Sequence, residues 1–284
     1  MNKIAIMGAS GHVAKNVYYQ LRDNNKIYQF SREEIGDPQG GYFYYPYSYF
    51  LDYDDYDIII NCVGHGNPAD IEKAGADLFF ITEKYDNMAI DYLREHPSTK
   101  YIFISSGVVH NDYDIYKPNF YLMSKLNAEA KHRALLDLNI IDIRLYSFFT
   151  RFINLDAKFF MAALIKSIKT GTEFVLDESI MVRDYINPQD LTTLISICVK
   201  QNFINDALDI YSLNPVEKYE IVKYFQEKYH LKLKWVDFMN SFSSVGKNIY
   251  RINEKLKMKA SNLGYVPKFS SMDTIREESK YLLS

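Results

Sequence analysis

Three side chains that can move a proton together lie close to one another in the sequence. Tyr121 and Lys125 stand four residues apart in NFYLMSKLNAEAKHRALLDL, which has the pattern of a helix, and Ser106 ends the preceding strand YIFISS. Residues four apart share one face of a helix, so the phenol and the ammonium would lie side by side. The ammonium favours the phenolate and lowers the tyrosine pKa from its usual value of about 10. The spacing therefore predicts an acid–base group for neutral pH, unless the pair only forms a solvated helix face.

The start of the chain has the pattern of a phosphate site. The apolar strand KIAIMG turns directly into the helical segment VAKNVYYQLRDNN, and a second strand, KIYQFS, follows. Glycines in such a turn allow close approach of the backbone, and the helix start offers free N–H groups with a partial positive charge. An ordinary strand-to-helix turn would also use glycine. The strand before and the helix after favour a dinucleotide site, with candidate residues Gly8, Ser10, Gly11, His12 and Val13.

The end of the second strand bears on which dinucleotide binds. Sites that prefer NAD usually place Asp or Glu there, whereas this strand ends in Ser31 and Arg32. A hydroxyl and a guanidinium suit a 2′-phosphate, because Arg binds phosphate through paired, charge-assisted hydrogen bonds. We therefore expect NADP(H). NAD(H) is the alternative, if Arg32 is solvated and Glu33 or Glu34 binds the ribose.

The composition excludes several classes of protein. With 284 residues, 48% of them hydrophobic, the chain can bury a sizeable core in one large or two small domains. A net charge of −3 gives no basic footprint for nucleic acid. No apolar run is long enough to span a bilayer, and the N-terminus has the pattern of a strand, not of a signal peptide. The two cysteines, Cys62 and Cys198, look like small buried residues. We expect a cytoplasmic protein with no nucleic-acid or membrane partner.

Strands and helices alternate along the first half of the chain, which predicts an α/β fold with a parallel sheet and helices on both faces. We place strands at 3–7, 26–30, 48–51, 57–62, 100–105 and 139–145, and helices at 12–22, 69–75, 78–96 and 119–137. After Arg144 the pattern changes to a helix at 156–169 and short extended segments. An amphipathic helix then begins at Asn187-Pro188.

Five short motifs follow one another along the chain. They are Gly8-x-x-Gly11-x-x-Ala14, Asn61-Cys62-Val63-Gly64, Ser105-Ser106-Gly107, Tyr121-x-x-x-Lys125 and Arg183-Asp184-Tyr185-Ile186. In this order they resemble the extended short-chain dehydrogenases/reductases, and among them the nucleotide-sugar epimerases, dehydratases and reductases. The resemblance covers essentially the whole chain. It implies a doubly wound Rossmann domain at 1–150, to which 181–203 return, and a smaller, discontinuous substrate-binding domain formed mainly by 151–180 and 204–284.

The resemblance also implies a separate catalytic role for each of Ser106, Tyr121 and Lys125. Tyr121 would pass a proton to or from the substrate oxygen while a hydride moves between the sugar and the nicotinamide. Lys125 would hold the nicotinamide ribose and lower the Tyr121 pKa. Ser106 would hydrogen-bond the carbonyl oxygen where negative charge develops. Ser105 competes with Ser106 for this role, and Ser106 could instead only cap the local backbone.

Further contacts are implied on both sides of this centre. On the cofactor side, Asp52 would follow the third strand and hold the adenine amino group, and the other candidates are Cys62, Val63, Gly64 and Tyr146. On the substrate side the candidates are Ser147 and Arg183. The Arg183 guanidinium would clamp a nucleotide diphosphate, unless it forms a salt bridge with Asp184 or Asp190. His65 and His110 flank the expected cleft.

Departures from the family pattern lie mostly around the substrate. Ala14 replaces the third glycine of the fingerprint, Thr82 and Ser147 replace asparagines, and the segment from Ser106 to Tyr121 is short. A dehydratase is disfavoured because Gly107 stands where such enzymes carry an Asp-Glu pair.

The activity implied is that of an NADPH-dependent 4-keto sugar reductase acting on a nucleotide-diphosphate sugar. The alternatives are an NAD-dependent 4-epimerase and, in another class, a non-catalytic dinucleotide sensor, which would not need the Ser-Tyr-Lys set. A homodimer through the helices at 78–96 and 119–137 is also implied.

Overall fold

A computed structural model describes residues 1–32, 35–37, 42–52, 55–64, 67–111, 119–236, 249 and 252–284. Within these ranges the chain forms one large sheet with flanking helices and three small two-stranded sheets. None of the helices found there is both long and apolar enough to cross a membrane.

The large sheet is almost entirely parallel. Its parallel strands are β1 (Lys3–Met7), β2 (Lys26–Ser31), β4 (Tyr42–Pro46), β5 (Ile58–Asn61), β6 (Lys100–Ser106), β7 (Ile140–Leu145) and β12 (Asn205–Asp209), and β3 (Ile35–Asp37) pairs antiparallel with β4. The spatial order is β12-β7-β6-β5-β1-β2-β4-β3. Strands β2, β3 and β4 extend the sheet from β1 towards one edge, and β5, β6, β7 and β12 then extend it from β1 towards the other edge. Ligands bind outside the carboxyl ends of the strands at such a switch point.

Helices cover both faces of the sheet. Alternate residues of β1 belong to different hydrophobic cores, Ile4 and Ile6 to one and Ala5 and Met7 to the other. The first core is closed by α1 (His12–Leu21), α6 (Pro188–Lys200) and α8 (Glu254–Asn262). The second is closed mainly by α3 (Asp77–Glu95), which follows α2 (Pro68–Ala74), and by α4 (Phe120–Ala134). This two-sided burial confirms the predicted doubly wound α/β fold.

A third hydrophobic core lies beyond the large sheet, around Phe149, Leu164 and Phe225. Its helices are α5 (Phe160–Thr170), α7 (Lys218–Tyr229) and α9 (Ser271–Leu283). Its strands are β8 (Ser147–Phe148) with β11 (Tyr185–Ile186), β9 (Phe174–Leu176) with β14 (Leu233–Trp235), and β10 (Val182–Arg183) with β13 (Val216–Glu217). Separated stretches of sequence therefore share this core, which we call the small lobe.

Two segments differ from the prediction. The strand placed at 48–51 was wrong, because the third parallel strand is Tyr42–Pro46 and a 3-10 helix, Tyr47–Asp52, follows it. The aromatic run YFYYPYSYF does not alternate between polar and apolar residues, so the sequence does not show where the strand begins and ends. Asn205–Asp209, in a stretch assigned mainly to the substrate domain, is an edge strand of the large sheet. The division into domains stays a prediction.

Candidate active site

The turn between β1 and α1 fits a phosphate group. Gly8 has a φ of 74°, and a Cβ on it would lie 2.9 Å from the Val63 nitrogen and 3.0 Å from the Cys62 carbonyl carbon. Only glycine allows the turns after β1 and β5 to approach this closely. Gly11 is the N-cap of α1 and has no side chain to accept from the first-turn N–H groups. Those donors, at the positive end of the helix, form the arrangement that binds phosphate.

The other predicted residues of this turn differ in exposure. His12 lies between the rings of Phe148 and Phe159, with centroids 6.0 and 6.1 Å away. Burial, with a smaller effect of a nearby lysine, lowers the His12 pKa to about 4, so its side chain is neutral at pH 7. Ser10 is exposed, and Val13 packs against the first core. His12 and Val13 would therefore contribute to phosphate binding through backbone N–H groups.

A chain of buried hydrogen bonds supports the turn after β5. The Val63 N–H donates to Asn61 Oδ1 at 2.9 Å, and the Asn61 amide donates to the Tyr101 hydroxyl at 2.8 Å. Tyr101 donates in turn to Asp86 at 2.7 Å, and the buried His132 Nε2 lies 2.8 Å from the same carboxylate oxygen. No sequence motif marks these hydrogen bonds, because the residues that form them come from β5, β6, α3 and α4.

Lys125 reaches the same turn from α4. Its Nζ donates to the Ile104 carbonyl at 2.9 Å, lies 4.3 Å from the centroid of the Phe103 ring, and is 3.5 Å from where a Gly64 Cβ would stand. Only 3% of the residue is exposed. Burial lowers the Lys125 pKa to about 8, although neighbouring acidic groups, Asp86 foremost, oppose this shift. The amine therefore lies at the carboxyl edge of the sheet, between β5 and β6.

Tyr121 is half-buried one turn before Lys125 in α4, as the spacing predicted. The helix is capped by Asn119, whose Oδ1 accepts from the Leu122 N–H at 3.0 Å. It contacts the 3-10 turn Gly107–His110, which directly follows Ser106. The fold thus brings α4 and the end of β6 together at the carboxyl edge.

Ser105 and Ser106 have different surroundings. Ser105 is buried and its hydroxyl donates to Glu129 at 2.6 Å. Ser106 is less buried, and its Oγ accepts from the Val108 N–H at 3.3 Å, the local capping contact considered above. That contact leaves the Ser106 O–H as a donor, so Ser106 is better suited than Ser105 to bind a substrate oxygen.

Five residues form a polar cluster next to this serine pair. The Tyr146 hydroxyl donates to Asp209 Oδ1 at 2.7 Å, and His110 Nε2 lies 2.7 Å from the same oxygen. Arg144 lies 3.2 Å from Asp209 Oδ2 and 2.6 Å from a Glu129 oxygen. Burial opposes ionisation of Asp209, but the bonds from His110 and Tyr146 hold its pKa below its ordinary value. We call this set the Asp209 cluster.

The Tyr146 ring fills the space beside Gly107. A Cβ on Gly107 would lie 2.4 to 2.7 Å from three ring carbons of Tyr146, so no side chain fits there without displacing the ring. The glycine therefore gives the ring its place, and the case against a dehydratase stays a prediction from the sequence. Tyr146, predicted to bind the cofactor, contacts Gly107 and Asp209.

An open cleft of about 380 Å³ lies at the ends of β2 and β4. It is lined by Arg32, Pro46, Tyr47, Ser48, Lys84, Tyr85 and Met88. The Tyr47 hydroxyl accepts from the Gly8 N–H at 2.7 Å, so the cleft adjoins the glycine turn. Arg32 and Lys84 bring two cations to it, while Ser31 is buried. Tyr47 and Lys84 were not predicted, because no motif marks them and Lys84 comes from the distant helix α3.

Asp52 does not directly follow the third parallel strand, as was predicted. Strand β4 ends at Pro46, so Tyr47 and not Asp52 follows it. Phe50 packs against Tyr56, with 5.5 Å between ring centroids, and Tyr56 directly precedes the amino end of β5. The exposed Asp52 ends this 3-10 helix, five residues beyond Tyr47, and its contact with the adenine stays a prediction.

On the substrate side, Arg183 is partly exposed in β10. The two carboxylates considered as its partners accept other hydrogen bonds: Asp184 from the Ser212 N–H at 3.2 Å and Asp190 from the Lys268 N–H at 3.0 Å. Both carboxylates therefore have hydrogen-bond donors within the small lobe or at its border. A ligand role for Arg183 stays a prediction.

Ser147 lies where the large sheet meets the small lobe. Its N–H donates to the Asp184 carbonyl at 3.2 Å, and β8 pairs with β11. Cys62 is partly buried, and burial raises the pKa of its thiol to about 12. Glu33, Glu34 and His65 lie outside the described residues.

Comparison with solved structures finds many that share this architecture. UDP-glucose 4-epimerase from Thermotoga maritima, solved with UDP-glucose, is 15% identical and superposes with a TM-score of 0.80, covering 98% of each chain. dTDP-glucose 4,6-dehydratase from Bacillus anthracis, in complex with NAD, is 15% identical with a TM-score of 0.76, covering 99% of this chain and 96% of its own. RMD from Pseudomonas aeruginosa, complexed with NADPH, is 15% identical with a TM-score of 0.73, covering 99% and 100%.

No family model and no curated protein matches the sequence. The likeness is therefore one of fold, and it extends over nearly the full length of both partners in each comparison. It confirms the architecture expected from the five motifs. The chain has the Rossmann-type α/β fold that these solved structures share.

Proposed function

We propose that this chain is an NAD(P)-dependent oxidoreductase of the extended short-chain dehydrogenase/reductase family that acts on a nucleotide-activated sugar. The observation that carries the proposal is the convergence of two elements on the turn Cys62–Gly64. The Gly8 backbone packs against Cys62 and Val63, and the Lys125 amine lies beside Gly64. A phosphate-binding turn and a proton-transfer helix thus meet at one short segment, as a dinucleotide-dependent active site requires.

The residues at the glycine turn fit the dinucleotide. The cradle at Gly8 is one that any Cβ would fill, and the first-turn N–H groups of α1 have no side-chain cap. Gly8, Gly11, and the backbone of His12 and Val13 would hold the pyrophosphate. When bound, a nicotinamide cofactor supplies or accepts a hydride.

The chain's own residues would then hydrogen-bond the sugar oxygen and exchange a proton with it. Tyr121 would donate a proton to that oxygen in the reducing direction and remove it in the oxidising direction. Lys125 would bind cofactor hydroxyls and favour the Tyr121 phenolate. Ser106 would donate a hydrogen bond to the same oxygen as its negative charge grows.

Within this class we favour a 4-keto sugar reductase that uses NADPH. Arg32 and Lys84 both line the cleft next to Gly8, and two cations match a 2′-phosphate better than a neutral ribose. A nucleotide diphosphate would add charge for Arg183 to neutralise. The NAD-dependent 4-epimerase is the second candidate, favoured by the fold shared with an epimerase solved with UDP-glucose.

Native mass spectrometry of the purified protein tests the choice. We expect weakly held NADPH that exchanges on dialysis, as a reductase that turns over its cofactor requires. Firmly retained NAD would instead support the epimerase.

Titration of Arg32 variants tests the cofactor assignment separately. Arg32→Ala is expected to weaken NADPH binding about 10- to 100-fold, since charged hydrogen bonds contribute roughly 1.5–3 kcal/mol, with little change for NADH. Arg94→Ala, on the exposed side of α3, is the matched control and should leave both affinities unchanged. Equal loss for the two cofactors would contradict the role given to Arg32.

A further inference from the structure

The imidazole of His132 is held between two carboxylates, one on α3 and one on β7. Its Nε2 lies 2.8 Å from Asp86 Oδ1, and its Nδ1 lies 2.6 Å from Asp142 Oδ1. All three residues are fully buried. An ionised carboxylate only accepts hydrogen bonds, so both ring nitrogens carry a proton and the ring is an imidazolium.

The charges around this ring balance one another. Lys131 Nζ lies 2.7 Å from Asp86 Oδ2, and Arg133 lies 3.0 Å from Asp142 Oδ2. Burial lowers the pKa of His132, but its bonds to the two carboxylates outweigh burial and raise that pKa to about 9. Burial disfavours ionisation of Asp86, yet the bonds from His132 and Lys131 hold its pKa below the ordinary value. Burial raises the pKa of Asp142, and His132 and Arg133 oppose that shift.

A series of hydrogen bonds leads from this ring to the turn after β5. The ionised Asp86 can only accept, so the Tyr101 hydroxyl donates to it at 2.7 Å. The Tyr101 oxygen accepts from the Asn61 amide at 2.8 Å, and Asn61 Oδ1 accepts from the Val63 N–H at 2.9 Å. The charged ring therefore fixes the direction of every bond as far as Val63. We call His132, Asp86, Tyr101 and Asn61 the His132 network.

The network ends at the turn Cys62–Gly64, where both parts of the proposed site meet. The backbone of this turn lies 2.9 Å from where a Gly8 Cβ would stand, and Lys125 Nζ lies 3.5 Å from where a Gly64 Cβ would stand. His132 follows Lys125 by about two turns of α4. One helix thus reaches the turn twice, directly through the lysine and indirectly through the network.

We propose that His132 is a positioning residue of the active site: as an imidazolium between its two carboxylates, it holds the turn Cys62–Gly64 in the form that receives the nicotinamide half of the cofactor. This inference rests on the proposed function, since it requires a dinucleotide at that turn. The ring is buried and touches neither cofactor nor substrate, so it acts only through the other members of the His132 network.

The proposal is tested by titrating the whole cofactor and one half of it separately. NADPH contains the nicotinamide ribose, whereas 2′,5′-ADP contains only the adenosine half. Tyr101→Phe keeps the ring and removes the hydroxyl in the middle of the network. Because Asn61 then loses the acceptor that orients its amide, we expect NADPH to bind about 10-fold more weakly and 2′,5′-ADP to bind within about twofold of the wild type. NADH and ADP replace this pair if the wild type binds NADH more tightly.

Tyr265→Phe is the matched control. Tyr265 is also fully buried, and its hydroxyl donates to the Tyr211 carbonyl at 2.8 Å, but it follows α8 and is not part of the His132 network. This variant also loses one buried hydrogen bond and should leave both affinities unchanged. A selective loss of NADPH binding in Tyr101→Phe is then not explained by lower stability alone.

Substitutions of His132 test the ring itself. The amide nitrogen of glutamine can take the place of Nε2 and donate to Asp86, whereas that of the shorter asparagine takes the place of Nδ1 and donates only to Asp142. We therefore expect His132→Gln to bind NADPH at least about 5-fold more tightly than His132→Asn. Both variants lose a buried charge, and if either is poorly folded, Tyr101→Phe decides the test.

A pH profile separates positioning from packing. The titratable and charged groups around the ring come from α3, α4, β6 and β7, and they are Asp86, Lys131, Arg133, Tyr101 and Asp142. Above its pKa of about 9 the ring keeps one proton, on the shorter bond to Asp142, and Nε2 no longer donates to Asp86. The ratio of NADPH affinities between the wild type and Tyr101→Phe should be constant between pH 7 and 8 and fall towards one above pH 9. Titration of Lys125 affects both proteins and cancels in this ratio.

The outcomes distinguish this inference from the function on which it rests. Equal weakening of NADPH and 2′,5′-ADP in Tyr101→Phe, NADPH binding as tight as in the wild type, or an affinity ratio that does not change with pH would each overturn the positioning role and leave the proposed oxidoreductase intact. If the wild type binds neither NADPH nor NADH, the proposed function fails, and this inference fails with it.

Discussion

At the residue scale, burial of the Lys125 side chain changes the pKa of its amine. Its amine is nearly inaccessible to solvent, donates to the Ile104 carbonyl and faces the Phe103 ring. Placing an ammonium there costs solvation, and that cost lowers the Lys125 pKa to about 8. A cofactor hydroxyl and the Tyr121 phenolate would offer it partners. The position is therefore less favourable for stability than an apolar side chain would be.

Lys125→Met tests this cost through its pH dependence. The unfolded chain has the usual lysine pKa of 10.5 and binds more protons than the folded chain between pH 8 and 10.5. The free energy of unfolding of the wild type therefore rises with pH across that window. We expect Lys125→Met to be more stable than the wild type by up to about 3 kcal/mol below pH 8, and the difference to shrink towards pH 10.5.

Urea unfolding of both proteins at pH 7, 8, 9 and 10 measures this difference, and effects of other titrating groups largely cancel in it. Lys223→Met, at an exposed lysine of α7, is the control for the loss of a lysine that is not buried. A constant difference between Lys125→Met and the wild type would contradict the shifted pKa.

At the element scale, the site depends on turns that leave no room for side chains. Gly8 lets the turn after β1 meet the turn after β5, and Gly107 lets the Tyr146 ring pack beside Ser106. Both glycines are at carboxyl ends of central strands, where a doubly wound sheet binds its ligands. The shape of the site is therefore set by strand ends as much as by reactive groups.

Gly107→Ala should be destabilising because its Cβ would collide with the Tyr146 ring. Overpacking of this kind costs about 1–3 kcal/mol. The cost should largely disappear when Tyr146→Ala is already present, since the ring that causes the collision is gone. Denaturant unfolding of both single variants and the double variant measures the coupling. Additive free energies would show that Gly107 and Tyr146 do not share this space.

Much of this arrangement could be predicted from local sequence. The glycine turn, β5, β6 and the helix with Tyr121 and Lys125 each have a short-range pattern, and the structure has all of them near the predicted bounds. Strand β4 was missed because the aromatic run around Pro46 has no alternation, and Asp52 was therefore expected directly after the strand. The Asp209 cluster was missed for another reason. Its members come from α4, β7, the residue after β7, β12 and the turn after β6, and only the fold brings them together.

At the scale of the whole molecule, the site lies where the large sheet meets the small lobe. Strand β8 leaves β7 and pairs with β11, and Asp184, just before β11, accepts from Ser212 beyond β12. Arg151 and Glu278 form a partly buried ion pair at 2.7 Å that connects α9 to the segment after β8. We infer that the small lobe is the substrate-binding domain and that Arg183 brings it into contact with the nucleotide.

The outer face of α3 and α4 is where we expect a second copy of the chain to bind. Lys131 of α4 bonds Asn87 of α3 at 2.6 Å, and Phe80 is 64% exposed. Light scattering should give twice the mass of one chain, and Phe80→Asp should give the mass of a monomer. Phe203→Asp, an exposed phenylalanine outside both helices, is the control and should remain dimeric. A monomeric wild type, or a dimeric Phe80→Asp, would contradict the proposed interface.

The central claim is that this chain delivers a hydride from NADPH to the ketone carbon of a nucleotide sugar, with Tyr121 as the proton donor. It is tested most directly by incubating the protein with NADPH deuterated at the transferable position and a nucleotide-linked 4-keto sugar. Mass spectrometry and NMR should find one deuterium per product, at the former ketone carbon. Tyr121→Phe should slow this transfer about 100- to 10,000-fold, while the exposed Tyr219→Phe should not. Interconversion of nucleotide-sugar epimers with no net consumption of NADPH, or transfer unchanged in Tyr121→Phe, would contradict the account.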